Sequence, residues 1–343
     1  MLNWVYEWGQ LALRGKFLYF YILTRSKHII MSKFRRREFI KTGLMAGGAI
    51  ILSRPLAGSE IFMQRGSAMR KPAEGETPDI ATINWSGSED CIESLLEPFG
   101  GIGNFVQKGQ TVGILANSPW KQVGYYTQPD VVLALAGLCI KAEAKEIIIL
   151  KPASLSYWER GILHEKYLSV ISGFRYGKDR MEKEIPEGVS LKKAEIFKEL
   201  EEVDVFISVP VAKHHAGTIF SGNLKGMMGI SSSPTNRYMH SPDGEYTYEK
   251  EEYLAQCIAD LSLIRKPDLC LIDAIECATS NGPAGPGSTV KPGKIIAGQD
   301  PLATDVFAAN LIGFYQDDVL TFKKAQEHGM GESNLEKLKL LEL

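Results

Sequence analysis

Two segments concentrate the side chains able to carry chemistry. Lys213, His214 and His215 follow Pro210-Val211-Ala212, and Lys225 stands within Ser221-Gly222-Asn223-Leu224-Lys225-Gly226-Met227-Met228-Gly229. Lysine offers a point positive charge, glycine lets backbone N–H groups approach a ligand, and a helix N-terminus adds its dipole. Together they suit a small anion or a metal, with a histidine as acid, base or ligand. Neighbouring side chains of an extended segment point to opposite sides, so His214 and His215 seldom hold one ion together. The alternative for either is a histidine hydrogen-bonded within its own loop.

Further polar groups stand at the ends of apolar runs. Asp273 follows Leu269-Cys270-Leu271-Ile272, where a carboxylate is satisfied by the next turn or faces a ligand. Asp300-Pro301 has the form of a helix N-cap with proline at the first helical position. Asp305 lies on the border of that helix's apolar stripe and there needs a partner or a role. Asn117 follows an early strand, Asn223 precedes Lys225, and Gly282 and Gly285 offer backbone within Gly282-Pro283-Ala284-Gly285-Pro286-Gly287. The expected catalytic residues are Lys213, His215 and Asp273. Asn117, His214, Asn223, Lys225, Gly282, Gly285, Asp300 and Asp305 are expected to bind the ligand, and His215 with Asp273 is the candidate metal pair.

The loops exclude several chemistries. The glycine-rich loop lacks G-x-x-x-x-G-K-S/T, and no G-x-G-x-x-G follows a strand, so neither a P-loop nucleotide nor NAD is expected. There is no G-x-S-x-G elbow and no H-E-x-x-H helix. Cys91, Cys139, Cys257, Cys270 and Cys277 form no C-x-x-C, so a cysteine-ligated iron–sulfur cluster is not expected. Cys139 and Cys270 read as buried thiols, and one disulfide among the other three stays open. A net charge of -2, from 39 basic and 41 acidic side chains, gives no nucleic-acid surface.

The elements that position these groups alternate. Thr111 to Leu115, Glu146 to Leu150, Val203 to Val211, Leu269 to Ile275 and Lys294 to Ala297 read as strands. Pro129 to Ala142, Ala194 to Glu202, Tyr253 to Ile264 and Leu302 to Ile312 read as helices. Strands apolar on both faces and separated by helices predict an α/β fold, a mainly parallel β-sheet with helices on both faces in Rossmann-like layering. Such sheets bind ligands at the carboxyl ends of their strands. On that rule Asn117, Lys213, Asp273 and Asp300 converge on one cleft. Residues 171 to 190 read as an inserted polar lobe, Ser231 to Glu252 as a turn-rich loop able to form a lid, and Leu335 to Leu343 as a charged helix.

The N-terminal region carries an address. Arg36, Arg37, Glu38, Phe39, Ile40 and Lys41 precede the bland run Thr42 to Leu52, then Arg54 and Pro55: the form of a twin-arginine export signal. That run is far shorter than the roughly 20 residues of a spanning helix, so no membrane span is expected beyond an uncleaved signal anchor. The expected partner is the twin-arginine translocase and the expected location periplasmic or extracytoplasmic. Met31 directly precedes the signal, so residues 1–30 are expected to be a mis-assigned start. Residues 31–59 are then the signal, with a weak cut before Glu60, 60–78 a linker, 79–330 a single α/β domain and 331–343 a helical tail.

The motifs, taken in order, resemble the domain-of-unknown-function 362 family. They are Pro210-x-x-Lys213-x-His215, Lys225-Gly226-Met227-Met228-Gly229, Pro267-Asp268 before Asp273, Gly282-Pro283-x-Gly285, and Gly298-x-Asp300-Pro301-x-Ala303-x-Asp305. The family's pattern has a lysine where this chain has Leu115 and an asparagine where it has Gly226; Asn117 is kept, and Asn223 stands near enough to supply the amide. The resemblance implies a fold and a Lys/His/Asp cleft for a small anionic or metal-bearing ligand. A weaker similarity of architecture, to the nickel-pincer lactate racemase group, implies a metal-bearing organic cofactor as an alternative. A third alternative is an accessory protein that delivers a cofactor to a redox partner.

Overall fold

The computed structural model describes residues 69–243 and 250–343, together with the backbone of Leu18–Ile22 and Ile30–Phe34. The chain divides into two units, Met1–Ala57 and Gly58–Leu343. In the first, Leu18–Ile22 pairs antiparallel with Ile30–Phe34. The arginine pair, the run Thr42 to Leu52 and the cut before Glu60 lie outside the described residues.

The second unit is built on an eight-stranded sheet. Its strands in chain order are β1 (Ile80–Asn84), β2 (Thr111–Ala116), β3 (Glu146–Ile149), β4 (Arg175–Tyr176), β5 (Val205–Val209), β6 (Leu269–Ala274), β7 (Lys294–Gly298) and β8 (Leu340–Glu342). They lie side by side in the order β8-β1-β7-β6-β5-β2-β3-β4. Every neighbouring pair is parallel except those that β7 makes with β6 and β1.

Alternating side chains feed two cores, as the period of two along a strand requires. Val205 and Ile207 of β5 and Leu269 and Leu271 of β6 face α1 (Glu89–Leu96) and α2 (Pro129–Lys141). Phe206 and Ile272 face the other layer, which contains α5 (Glu251–Ser262), α6 (Pro301–Leu311) and α7 (Leu320–Glu327). Two shorter helices of that side, α3 (Asn223–Gly226) and α4 (Ser233–His240), sit near the strand ends. Each Ile, Leu or Phe so buried contributes about 1.5–3 kcal/mol. The result is the α/β sheet with helices on both faces that the apolar runs predict. Among the described residues no helix is long and apolar enough to cross a membrane.

Four local expectations are corrected. The tail is a strand: Leu338 and Leu340 pack on one core and Leu341 on the other, a period of two that lets β8 pair with β1. Ala194 to Glu202 is not one helix, because Lys193–Phe197 pairs with Arg180–Glu184 as a hairpin and only Glu199–Glu202 is helical. The segment read as a loop from Ser231 contains α4, started by Ser232, whose hydroxyl accepts from the Thr235 N–H. All five cysteines are buried free thiols.

The fourth concerns β7. No helix lies between Ile275 and Gly293, so the chain returns antiparallel, and β7 ends at the opposite edge of the sheet from β2, β5 and β6. Asp300 is therefore carried away from the cleft.

Candidate functional site

Beyond the carboxyl ends of β2, β3 and β5 lies a cavity of about 310 Å³. Lys151, Lys213 and Lys225 converge on it, with His215, His240, Asn117 and Asn236. Its apolar wall includes Leu115, Trp120, Pro210, Met228 and Pro283. No aspartate or glutamate is among the described residues that line it.

Lys213 is placed by two devices. Beyond Val209 the chain stays laddered to β6, with the Asp273 N–H donating to Pro210 O and the Ala212 N–H to Asp273 O, both at 2.9 Å. Lys213–His215 then pairs with Ile219–Ser221 as a tight hairpin. The lysine is 1% exposed, and its Nζ donates to Tyr125 O at 2.7 Å and to Pro283 O at 3.1 Å. The Trp120 ring centroid lies 5.3 Å from Nζ. Burial, then the positive charges of Lys225 and Lys151, push its pKa down to about 6.

The other two lysines have no hydrogen-bond or ion-pair partner among the described residues. Burial and the charge of Lys151 bring Lys225 down to about 7, and burial lowers Lys151. Lys225 rides on α3, whose first N–H groups are held by Asp305 of α6. Oδ1 accepts from the Asn223 N–H at 2.6 Å and from Asn223 Nδ2 at 3.0 Å, and Oδ2 accepts from the Leu224 N–H at 3.0 Å. Burial pushes the Asp305 carboxyl up to about 7, against these donors. Asn223 also donates to Thr304 Oγ1. Asp305 and Asn223 thus position Lys225, and neither lines the cavity.

The two histidines of the hairpin face different surroundings. His215 lines the cavity; its Nδ1 accepts from the Gly217 N–H at 3.1 Å, which in the neutral ring leaves the proton on Nε2. Burial and the nearby positive charges hold it well below the usual histidine range. His214 instead takes the Gly282 N–H on Nδ1 at 3.0 Å and stacks near Phe314. A Cβ at residue 282 would overlap the His214 carbonyl oxygen, so only glycine admits this approach. Gly285, with φ at 74°, seats the loop on the Tyr125 ring. These glycines shape the backbone that presents Pro283 O to Lys213.

Asp273 is fully buried and is not among the residues lining the cavity. Its oxygens accept from the Gln128 N–H at 2.7 Å and the Ile275 N–H at 3.0 Å, fixing the entrance to α2 and the loop that carries Tyr125. Burial moves its pKa up to about 6. Read from the sequence as catalytic and as a metal ligand, it is a positioning residue. Asp300 caps α6, accepting from the Ala303 N–H at 2.9 Å, and takes the Glu332 N–H on its other oxygen. Asn117 lines the cavity, and its main chain is tied to Thr127.

Lys151, Trp120, Asn236 and His240 were not singled out from the sequence. Lys151 directly follows the apolar run ending in Leu150, so the strand-end rule contained the signal. Asn236 directs Nδ2 at Met228 O and Ser231 O, and its buried Oδ1 has no partner among the described residues. His240 stands 6.4 Å from His215, centroid to centroid. No group of three or more His, Cys, Asp or Glu suited to a metal occurs among the described residues. Three lysines without a lining carboxylate repel a bare divalent cation, which does not fit this donor set.

The sequence pattern of the family described as Domain of unknown function (DUF362) matches residues 114–310, more than half of the chain. The chain belongs to this family. The match runs from Ile114 in β2 to Asn310 in α6 and so spans Lys151, Lys213, Lys225 and Asp305. A thylakoid-associated protein of Synechocystis sp. is 26% identical over 258 residues, covering 71% of this chain and 76% of that protein. A solved structure, the lactate racemase apoprotein of Thermoanaerobacterium thermosaccharolyticum, superposes with a TM-score of 0.38 at 15% identity, over 60% of this chain and 54% of that one.

Proposed function

We propose that the cavity binds a small organic anion carrying two or more negative charges. The observation behind this is the convergence of Lys151, Lys213 and Lys225 on one cavity whose described lining holds no carboxylate. Burial pushes the three lysine pKa values down, and for Lys213 and Lys225 the neighbouring positive charges add to it; an anion offsets both. The wall of Trp120, Met228 and Leu115 suits a carbon skeleton between the charged ends. Because Lys225 titrates near neutrality, the site is also suited to moving a proton.

Titration calorimetry with oxalate, citrate and inorganic phosphate tests this reading. Saturable binding to the intact protein that weakens at least tenfold in Lys225→Met and in Lys151→Met supports it. Binding that survives both substitutions unchanged would refute it.

Export is part of the same proposal. Arg36 and Arg37 followed by Phe39-Ile40-Lys41 support delivery by the twin-arginine translocase, with Met31 as the start of translation. Fractionation of the native host and N-terminal sequencing of the precursor and mature chain check both. A peptide spanning Trp4 to Arg14 in the precursor argues against the start at Met31. Recovery of the parent and of a double variant, Arg36→Lys with Arg37→Lys, in the same compartment argues against the route.

A further inference from the structure

We propose that Lys213 is a nucleophilic amine that forms an imine with the carbonyl group of a 2-oxo carboxylate held in the cavity. The proposal rests on the anion-binding reading above and adds a covalent step to it.

Geometry carries the argument. Lys213 Nζ donates to Tyr125 O and Pro283 O, at 2.7 Å and 3.1 Å. A neutral primary amine has two N–H groups and one lone pair, and two carbonyl acceptors use both protons. The lone pair is left for the cavity that Lys213 lines. The side chain is 1% exposed and is fixed from both sides, so the nitrogen is presented in one orientation. Two separate parts of the fold build this cradle: the loop behind Asn117 supplies Tyr125, and the loop of Gly282 and Gly285 supplies Pro283. Desolvation and flanking cations are the means by which lysine becomes a nucleophile at neutral pH, and the lowered pKa of Lys213 agrees with them.

The neighbours supply the rest. Lys151 and Lys225 receive the carboxylate beside the carbonyl. The amine attacks the carbonyl carbon, a C–N bond forms, and the nitrogen's proton moves to the former carbonyl oxygen, giving a carbinolamine. A proton from the Lys225 ammonium then lets that hydroxyl leave as water, and the nitrogen lone pair forms the C=N bond of a protonated imine. Lys225 regains its proton from solvent. The sequence is redox-neutral, and water is the only product released.

Reductive trapping tests it. The intact protein is incubated with glyoxylate or 2-oxoglutarate and sodium cyanoborohydride, then digested and mapped by mass spectrometry. The expected result is a secondary-amine label confined to the Lys213 peptide, formed at least tenfold faster than with acetone, which lacks the carboxylate. Lys213→Arg should abolish the label, and peptide mapping of the unsubstituted protein gives the site independently of whether that variant folds. A label spread over surface lysines, or centred on Lys151 or Lys225, overturns the proposal. No label together with calorimetric binding of oxalate overturns the imine and leaves the anion site standing; loss of both overturns the two together.

Discussion

The main-chain N–H of Asn223 donates to Asp305 Oδ1 at 2.6 Å, so one carboxylate in the middle of α6 holds the start of the segment that carries Lys225. The same carboxylate also accepts from Asn223 Nδ2 and the Leu224 N–H. Asp305→Ala leaves buried donors unmet and should cost about 2–4 kcal/mol in urea unfolding. Anion affinity should fall with it, and Asp305→Asn, which keeps the shape and one acceptor, should lose less of both. Equal stability of the alanine variant would show that the contact is idle.

The lysines set a pH dependence of stability. Lys213 and Lys225 titrate near 6 and 7 in the fold and near 10.5 as free groups. Between those values the unfolded chain binds more protons, so stability rises with pH; the penalty is full below about 6 and gone above 10.5. The raised carboxyls of Asp273 and Asp305 act oppositely, but between 3.8 and about 7. Buried thiols, such as Cys139 and Cys257 pushed up to about 12, act oppositely above about pH 9, so the thermal midpoint without added anion should rise from about pH 7.5 to 8.5. Lys225→Met should flatten that slope and stabilise the protein at pH 7.5 by about 1–2 kcal/mol, allowing for screening by cavity water. A slope unchanged by the substitution would contradict the assignment.

Anion binding should take up protons. An anion held by Lys225 favours its charged ammonium and raises its pKa from about 7, so at pH 8 about one proton should enter per oxalate bound. Calorimetry in buffers of different ionisation enthalpy reads that number directly. Proton release on binding would contradict the picture.

Gly282 and Gly226 should respond in opposite ways to alanine. A Cβ at 282 runs into the His214 carbonyl oxygen, whereas at 226 the nearest atom is Pro210 Cβ at 3.8 Å. Gly226→Ala, inside α3, should be neutral or stabilising by up to about 1 kcal/mol. Gly282→Ala should lower the thermal midpoint by several degrees, roughly 1–3 kcal/mol, and weaken anion binding by moving Pro283 O away from Lys213. Differential scanning calorimetry of the two variants decides it.

How legible all this was differs by residue. The apolar runs around Ile148, Phe206 and Leu271 announce a buried sheet because both faces are covered, and the strand-end rule then finds Lys213. Alternation along an extended segment separates His215 from His214. Lys151 was open to the same rule, since it follows Leu150 directly. Strand direction is harder: the sequence places Asp300 in the cleft because nothing in Lys294 to Ala297 says which way the strand runs. The absence of a helical stretch between Ile275 and Gly293 was the available clue. The role of Asp305 was out of reach, because its partners are main-chain N–H groups far away in sequence at Asn223 and Leu224; for Asp273 the turn to Ile275 was one of the two readings offered, while the contact with Gln128 was not legible. The β8 strand was masked by its charges, although Leu338, Leu340 and Leu341 already alternate.

The three lysines of the cavity have a practical corollary for handling the protein. On the anion-binding reading proposed above, a site that gains stability from almost any compact polyanion would act as a scavenger and leave the lysate with a passenger. On the same reading, phosphate, sulfate or citrate from a purification buffer would exchange with that passenger, so two preparations with different histories would melt at different temperatures and carry different masses. Native mass spectrometry of material kept in volatile, weakly coordinating buffer from the first step would read the resident molecule before it is washed away.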